Sequence, residues 1–403
     1  MPTFVIAGAS LAGAKAAETL RDEGFDGEIV LLGTEPELPY ERPPLSKGYL
    51  LGKDERGSVF VHPEDWYAEH GVDLRMGVTV TAIDRAASQV VTSGPAGTGT
   101  AHYDKLLLTT GASPRRLSFP GADRDEVLYL RTVSDSDRLR AAFQPGTRVA
   151  VAGAGWIGLE TTAAAREAGC PVTVLEPQPS ALHDQIGPEL GAVFADLHRS
   201  HDVQFRFGER AEEFRPGLVI TSAGAEIPAD LYVVGIGAAP NDQLAAAAGL
   251  EVSNGVLTDE ALRTSDENIF AAGDVANSVN PLLGRRVRVE HWANALDGGP
   301  AAARSMLGQP VVYDKVPYFY SDQYDLGMEC AGVPSPGYYD DVVYRGDRAG
   351  REFIAFWLSD GRVVAGMNVN VWDVNDDIQA LIRSARPVEV ARLADPDIPL
   401  TDI

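Results

Sequence analysis

Cysteine is almost missing from this chain. Only Cys170 and Cys330 occur in 403 residues, well separated, which excludes a disulfide framework, a C-x-x-C redox pair and a cysteine metal cluster. Cys170 follows a helical stretch and precedes Pro171, so it reads as a buried thiol. Positive charge is short as well: 34 Lys and Arg stand against 58 Asp and Glu, a formal net charge of -24. A nucleic-acid partner is therefore not expected, because cations neutralising phosphates supply most of such affinity. Long apolar runs are lacking too. None approaches the roughly 20 residues that cross a bilayer, and Met1-Pro2 leads straight into a strand without a basic segment. No membrane association, a cytoplasmic location and no metal site are the expectations.

What is present is a globular composition, 45% hydrophobic, able to bury about two or three cores. The stretch VIAGASLAGAKAAETL (Val5 to Leu20) predicts a strand over Phe4 to Ala7, a turn over Gly8 to Gly13 and a helix through Leu20. A second strand, Ile29 to Leu32, leads to Glu35. Ser10 stands where G-x-G-x-x-G has its second glycine, and alone the stretch reads either as a phosphate cradle or as a strand running into an alanine-rich helix. The segment VAVAGAGWIGLETTAAAREAGCPVTVLEP (Val149 to Pro177) repeats the pattern with the fingerprint complete, in Gly153, Gly155 and Gly158. Its acid, Glu176, lies 23 residues beyond Gly153, close to the spacing of about 20 for a residue that holds a ribose hydroxyl.

The roles of the glycines differ. The first makes the tight turn, the last lets helix pack on strand, and the middle one admits a pyrophosphate to the backbone. Only that middle role is touched by Ser10, a small polar residue, so binding is expected to survive at the first turn. The amino end of the helix offers free N–H groups and partial positive charge to an anion. Two such folds imply two dinucleotides, a tightly held redox cofactor and a nicotinamide donor. Glu176 would repel a ribose phosphate, and Pro177-Gln178-Pro179 brings no arginine to offset it, so NADH is favoured over NADPH.

Beyond the first unit come YERPPLSKGYL (Tyr40 to Leu50), TTGASPRRL (Thr109 to Leu117), VVGIGAAPN (Val233 to Asn241), IFAAGDVA (Ile269 to Ala276), RVEHWANA (Arg288 to Ala295) and YSDQYDLG (Tyr320 to Gly327). With these motifs in this order, the chain resembles, nearly end to end, the NADH-dependent ferredoxin reductases of bacterial oxygenase systems. Their wider class includes rubredoxin reductases and apoptosis-inducing-factor-like flavoproteins. The resemblance implies an α/β fold with two Rossmann-like, glutathione-reductase-like domains and a C-terminal α+β domain. FAD would occupy residues 1–111 and 235–309, NADH 112–234, and the last domain 310–403. There DVVYRG and EFIAFWL, separated by Asp-Arg-Ala-Gly, predict antiparallel strands.

Roles carry over residue by residue as implications of that resemblance. Gly8, Ser10, Ala12, Gly13, Glu35, Arg42, Lys47, Val80, Arg131, Asp274 and Trp292 correspond to FAD contacts, with Asp274 at the ribitol, Lys47 near the reactive flavin nitrogen and Trp292 covering the ring. Gly153, Gly155, Ile157, Gly158, Glu160, Glu176 and Gly237 correspond to the nicotinamide nucleotide's site. Glu160 is expected to pair with Lys47 and link two domains where hydride passes; with Trp292 these are the candidate catalytic residues. Thr34 replaces an aspartate found in many relatives, so the ribose role passes to Glu35. Tyr318 and Tyr320 replace tryptophans of a W-x-W-S-D-Q motif.

The implied reaction is hydride transfer from NADH to FAD, then single electrons to an iron-sulfur ferredoxin feeding a monooxygenase or dioxygenase. Stacking and register supply most of the advantage, consistent with a sequence that shows no triad and no paired carboxylates. Ser46-Lys47 stand where peroxide-type relatives carry a cysteine. Ferredoxins are themselves acidic, so a local basic patch, Arg285, Arg286, Arg288, Arg304 and Lys315, is the expected docking face. A rubredoxin reductase, an NADH oxidase and a low-turnover signalling flavoprotein remain open, as do monomer and homodimer.

Overall fold

Alternation of short apolar strands with alanine-rich helices decides most of the architecture. The computed structural model describes residues 1–403, which divide into two compact units. The first comprises residues 1–41, 56–113 and 238–317, and the second residues 42–55, 114–237 and 318–403.

In the first unit the strand Thr3–Ala7 runs parallel to Glu28–Gly33 on one side and Lys105–Leu108 on the other. Val72–Met76 and Ile269–Ala271 complete a five-stranded parallel sheet. Both faces are covered, as a parallel sheet requires: Ile6 and Leu107 face one apolar cluster, Val5 and Leu106 another. The helix Leu11–Asp22 lies against the helix Trp292–Met306 so closely that a Cβ at Gly299 would come 2.3 Å from the Ala12 carbonyl oxygen. Two three-stranded sheets flank this core: Thr79–Asp84 with Gln89–Gly94 and Gly97–His102, and Val256–Thr258 with Ala276–Asn280 and Arg285–Arg288.

The second unit repeats the device. Val149–Ala152 lies between Val172–Glu176 and Leu231–Val234, with Gln204–Phe207 and Val127–Tyr129 at the edges, all parallel. The same unit contains a five-stranded antiparallel sheet in the order Tyr318–Gln323, Leu326–Gly332, Arg362–Val369, Glu352–Ser359, Asp341–Asp347. The expected hairpin is there, with Asp347 opposite Glu352. Val151, Leu159 and Phe194 of the parallel layer share one apolar cluster with Met328, Phe353 and Trp357 of the antiparallel sheet. Burying each side chain of this size stabilises by about 1.5–3 kcal/mol. No helix is long and apolar enough to cross a bilayer.

Candidate functional site

At the first turn, Gly8 has φ +128°, a conformation closed to L side chains, and a Cβ there would lie 2.1 Å from the Thr109 carbonyl oxygen. Thr109 Oγ1 donates to the Gly8 carbonyl at 2.7 Å, a restraint the sequence did not reveal. A Cβ at Gly13 would meet the Gly8 carbonyl oxygen at 2.1 Å, so helix and strand touch through backbone. Ser10 is the N-cap of the helix in extended conformation and caps none of its first amides with its side chain. At the end of the second strand, Glu35 accepts from the Tyr40 hydroxyl, and the exposed Thr34 accepts from Thr79 Oγ1 at 3.2 Å.

The second turn reproduces this spacing. Gly153 has φ +102° with the Gly235 carbonyl oxygen 2.4 Å from an added Cβ, and a Cβ at Gly158 would meet the Gly153 carbonyl oxygen at 2.1 Å. Gly155, the counterpart of Ser10, is likewise an extended N-cap, and a Cβ built on it meets no atom within 4 Å. The serine therefore adopts the backbone its position requires, and both crevices fit a pyrophosphate brought close to the chain. Glu176 is 9% exposed; Oε2 accepts from Ala154 N–H at 2.7 Å and Oε1 from Gln178 N–H at 2.8 Å. Each oxygen keeps a second lone pair for a ribose hydroxyl. Ile157, in the first helical turn, is 43% exposed, and Gly237 holds φ +89° while its carbonyl accepts from Arg115 N–H.

Lys47 and Glu160 do meet: Nζ lies 2.8 Å from Oε1, with side-chain exposures of 14% and 3%. Both residues lie in the second compact unit, which takes in Arg42–Glu55. Glu160 also accepts from Ser46 Oγ on Oε2 and from Ser321 Oγ at 2.7 Å on Oε1. Neither serine is marked by the sequence as a partner of Glu160, although Ser46 adjoins Lys47 and Ser321 stands in YSDQ. A buried carboxylate needs such compensation. The Lys47 ammonium also lies 5.2 Å from the Tyr320 ring centroid. Tyr318 instead donates to Glu329 at 2.7 Å, and burial, then that carboxylate, pushes its phenol up.

The other expected residues are distributed as follows. Arg42 Nη1 donates to the Arg131 carbonyl, and the Arg131 amide to Asp135 Oδ2 at 3.1 Å. Val80 is half-buried on Thr79–Asp84, and Ala12 is buried in the helix after the first turn. Trp292 starts its helix and donates Nε1–H to Glu41 at 3.1 Å. Asp274 sits in the short turn Gly273–Val275, whose position Arg288 supports by donating to the Asp274 carbonyl at 3.2 Å.

That contact changes the expected docking set. Arg288 is only 11% exposed and also pairs with Glu290, so it braces the turn rather than facing solvent. Arg286 also donates to the carbonyls of Thr258 and Asn277 while remaining exposed. Arg304 pairs with Glu23 at 2.8 Å and Lys315 with Asp297 at 3.4 Å, both on exposed surface. Both cysteines are free and buried, and burial pushes each thiol up.

Residues 2–299 match the family described as pyridine nucleotide-disulphide oxidoreductase, and residues 318–403 the one described as reductase C-terminal. The ferredoxin–NAD(+) reductase component of the anthranilate 1,2-dioxygenase system of Burkholderia cepacia is 40% identical, covering 98% of each chain. Putidaredoxin reductase of Pseudomonas putida is 36% identical, over 99% of this chain and 96% of that one. The reductase in a solved covalent putidaredoxin reductase–putidaredoxin complex superposes with a TM-score of 0.95 at 36% identity, covering 100% of this chain and 97% of that one.

Proposed function

We propose that this chain, which belongs to the pyridine nucleotide-disulphide oxidoreductase family, is an FAD-dependent NADH:ferredoxin oxidoreductase serving an oxygenase. The observation that carries this reading is the pair of matched glycine crevices in one chain, each with an acid at the end of its second strand. Thiol exchange is not the chemistry, since two separately buried thiols with raised pKa offer no thiolate nucleophile.

Bound FAD supplies the ability to take two electrons together and release them singly. The protein's own contribution is placement. Amides of the turns Gly8–Gly13 and Gly153–Gly158 hold pyrophosphates, with Glu35 and Glu176 on ribose hydroxyls. By resemblance, Arg42, Lys47, Val80, Arg131, Asp274 and Trp292 join the FAD set, Ile157 and Gly237 the NADH set. Glu160 fixes the Lys47 ammonium and neutralises it in a partly dry setting. Residues 1–111 and 235–309 are assigned to FAD, 112–234 to NADH and 310–403 to the C-terminal domain.

An acidic ferredoxin meeting a chain of charge -24 requires local positive potential. Arg285, Arg286, Arg304 and Lys315 are assigned that role. The combined change Arg304→Gln and Lys315→Gln is expected to slow ferredoxin reduction several-fold at low salt and flatten its salt dependence, while NADH reduction of a small dye stays unchanged. Equal loss in both assays would remove the docking assignment. Reduction of rubredoxin or dioxygen faster than of every ferredoxin offered would overturn the choice of acceptor.

A further inference from the structure

The Lys47–Glu160 pair is the visible end of a longer buried chain. Ser321 Oγ lies 2.7 Å from Glu160 Oε1, Gln323 Nε2 is 3.0 Å from Ser321 Oγ, His198 Nε2 is 2.8 Å from Gln323 Oε1, and the Tyr324 hydroxyl is 3.3 Å from His198 Nδ1. Glu160, Ser321, Gln323 and His198 are each at most 3% exposed. Three elements provide them, Glu160 coming from the helix Trp156–Glu167. The strand Tyr318–Gln323 turns Ser321 and Gln323 to the same inner face, as alternation dictates, and the helix Pro188–Ser200 supplies His198.

We propose that Ser321, Gln323 and His198 are positioning residues, forming a one-way hydrogen-bond relay that aims a donor at the Glu160 carboxylate and so fixes Lys47. The direction follows from the donor inventory. An ionised Glu160 only accepts, so the Ser321 hydroxyl hydrogen points to it. Ser321 then accepts from the Gln323 amide nitrogen, which turns the Gln323 carbonyl to His198. His198 must therefore carry its proton on Nε2, leaving Nδ1 to accept from Tyr324. Every donor points toward the carboxylate, and such aligned bonds polarise one another in a low-dielectric interior.

Burial holds the His198 pKa down to about 4, offset in part by Gln323 and reinforced by the nearby His201, so the ring is neutral at pH 7 and only its tautomer is free to vary. The charged groups around Glu160 are Lys47, paired with it at 2.8 Å, and Asp322, whose own carboxyl is pushed up by burial, drawn down by Lys47 and pushed up by Glu160 and Glu329. If Glu160 were protonated the whole chain would be free to reverse, with the Gln323 amide turned over and the His198 proton on Nδ1. The relay thus couples the protonation of Glu160 to a histidine that touches neither Lys47 nor Glu160. Its bearing on turnover rests on the reading that Glu160 and Lys47 serve hydride transfer, whereas the relay itself does not.

The decisive measurement is nitrogen-15 NMR of His198 in the FAD-loaded protein at pH 7, assigned with His198→Gln. The expected result is the Nε2–H tautomer; an Nδ1–H tautomer overturns the relay. In stopped-flow reduction by NADH at pH 7, Ser321→Ala and Gln323→Leu are expected to slow flavin reduction several-fold, because Glu160 loses the donor that orients it. His198→Gln, whose amide can still donate to Gln323, is expected to keep the wild-type rate, whereas His198→Leu should lower it. Variants that melt lower but keep the wild-type rate would show a merely structural role and overturn the proposal. Glu160→Gln separates the two ideas: unchanged reduction by NADH would remove Glu160 from the functional reading, while the His198 tautomer would still decide the relay.

Discussion

Gly155→Ala and Gly158→Ala differ by three positions, yet they are expected to fail in different ways. At Gly158 an added Cβ would sit 2.1 Å from the Gly153 carbonyl oxygen, where real contacts stay above 3.0 Å. The obstacle is backbone, so the helix Trp156–Glu167 must retreat by about 0.9 Å from the strand Val149–Ala152. Overpacking of that kind costs about 1–3 kcal/mol. In a unit of this size each kcal/mol lowers the melting point by roughly 2–4 °C, so a fall of about 2–12 °C is expected. At Gly155 the same methyl meets nothing within 4 Å, and the fold should be indifferent to it. The open space it enters is where the pyrophosphate is proposed to approach the backbone. Losing a hydrogen bond to a charged group costs about 1.5–3 kcal/mol, which weakens NADH binding by roughly 10- to 150-fold. Differential scanning calorimetry and NADH titration of both FAD-loaded variants make the comparison. If Gly155→Ala bound NADH as tightly as the parent, the crevice would not be the nucleotide cradle.

Two further outcomes follow from charge. Replacing Glu176 by Gln removes the negative charge opposite a ribose 2′-phosphate and should raise kcat/KM for NADPH relative to NADH by roughly tenfold, the Coulomb effect near 5 Å in a solvated site; an unchanged ratio in steady-state assays would show that Glu176 does not set the preference. His198 and His291 both have pKa values lowered by burial to about 4, against 6.5 when unfolded. Between those values the unfolded chain binds more protons, so their contribution is complete above pH 6.5 and is lost as pH falls toward 4, by up to about 3 kcal/mol each. Urea melts from pH 7 to pH 4.5 are expected to show the midpoint falling through this window, and a His198→Gln variant to show a smaller fall; equal slopes would refute the assignment.

Much of the candidate site was legible because its physics is local. A positive φ at Gly8 and Gly153, and a carbonyl too close for any Cβ at Gly13 and Gly158, are demands made within a few residues of each turn, and they leave glycine in a fixed spacing. Strand pairing of the hairpin Asp341–Ser359 was readable for the same reason, since short apolar runs on either side of a turn need only each other. Arg288 was misplaced because its four-residue strand shows no sign of which arginine turns inward; the Asp274 carbonyl that captures it lies on another element.

The sequence by itself determined two glycine-turn folds and their acids, because each depends on residue type within one βαβ unit. Only the tertiary structure decided what surrounds Glu160. Ser46 is 114 residues away from it and Ser321 is 161, and His198 reaches it through Gln323, so no spacing rule joins them. Hydrogen bonds between buried groups are set by where the chain returns, and that return is fixed by the apolar core which the parallel layer shares with the antiparallel sheet.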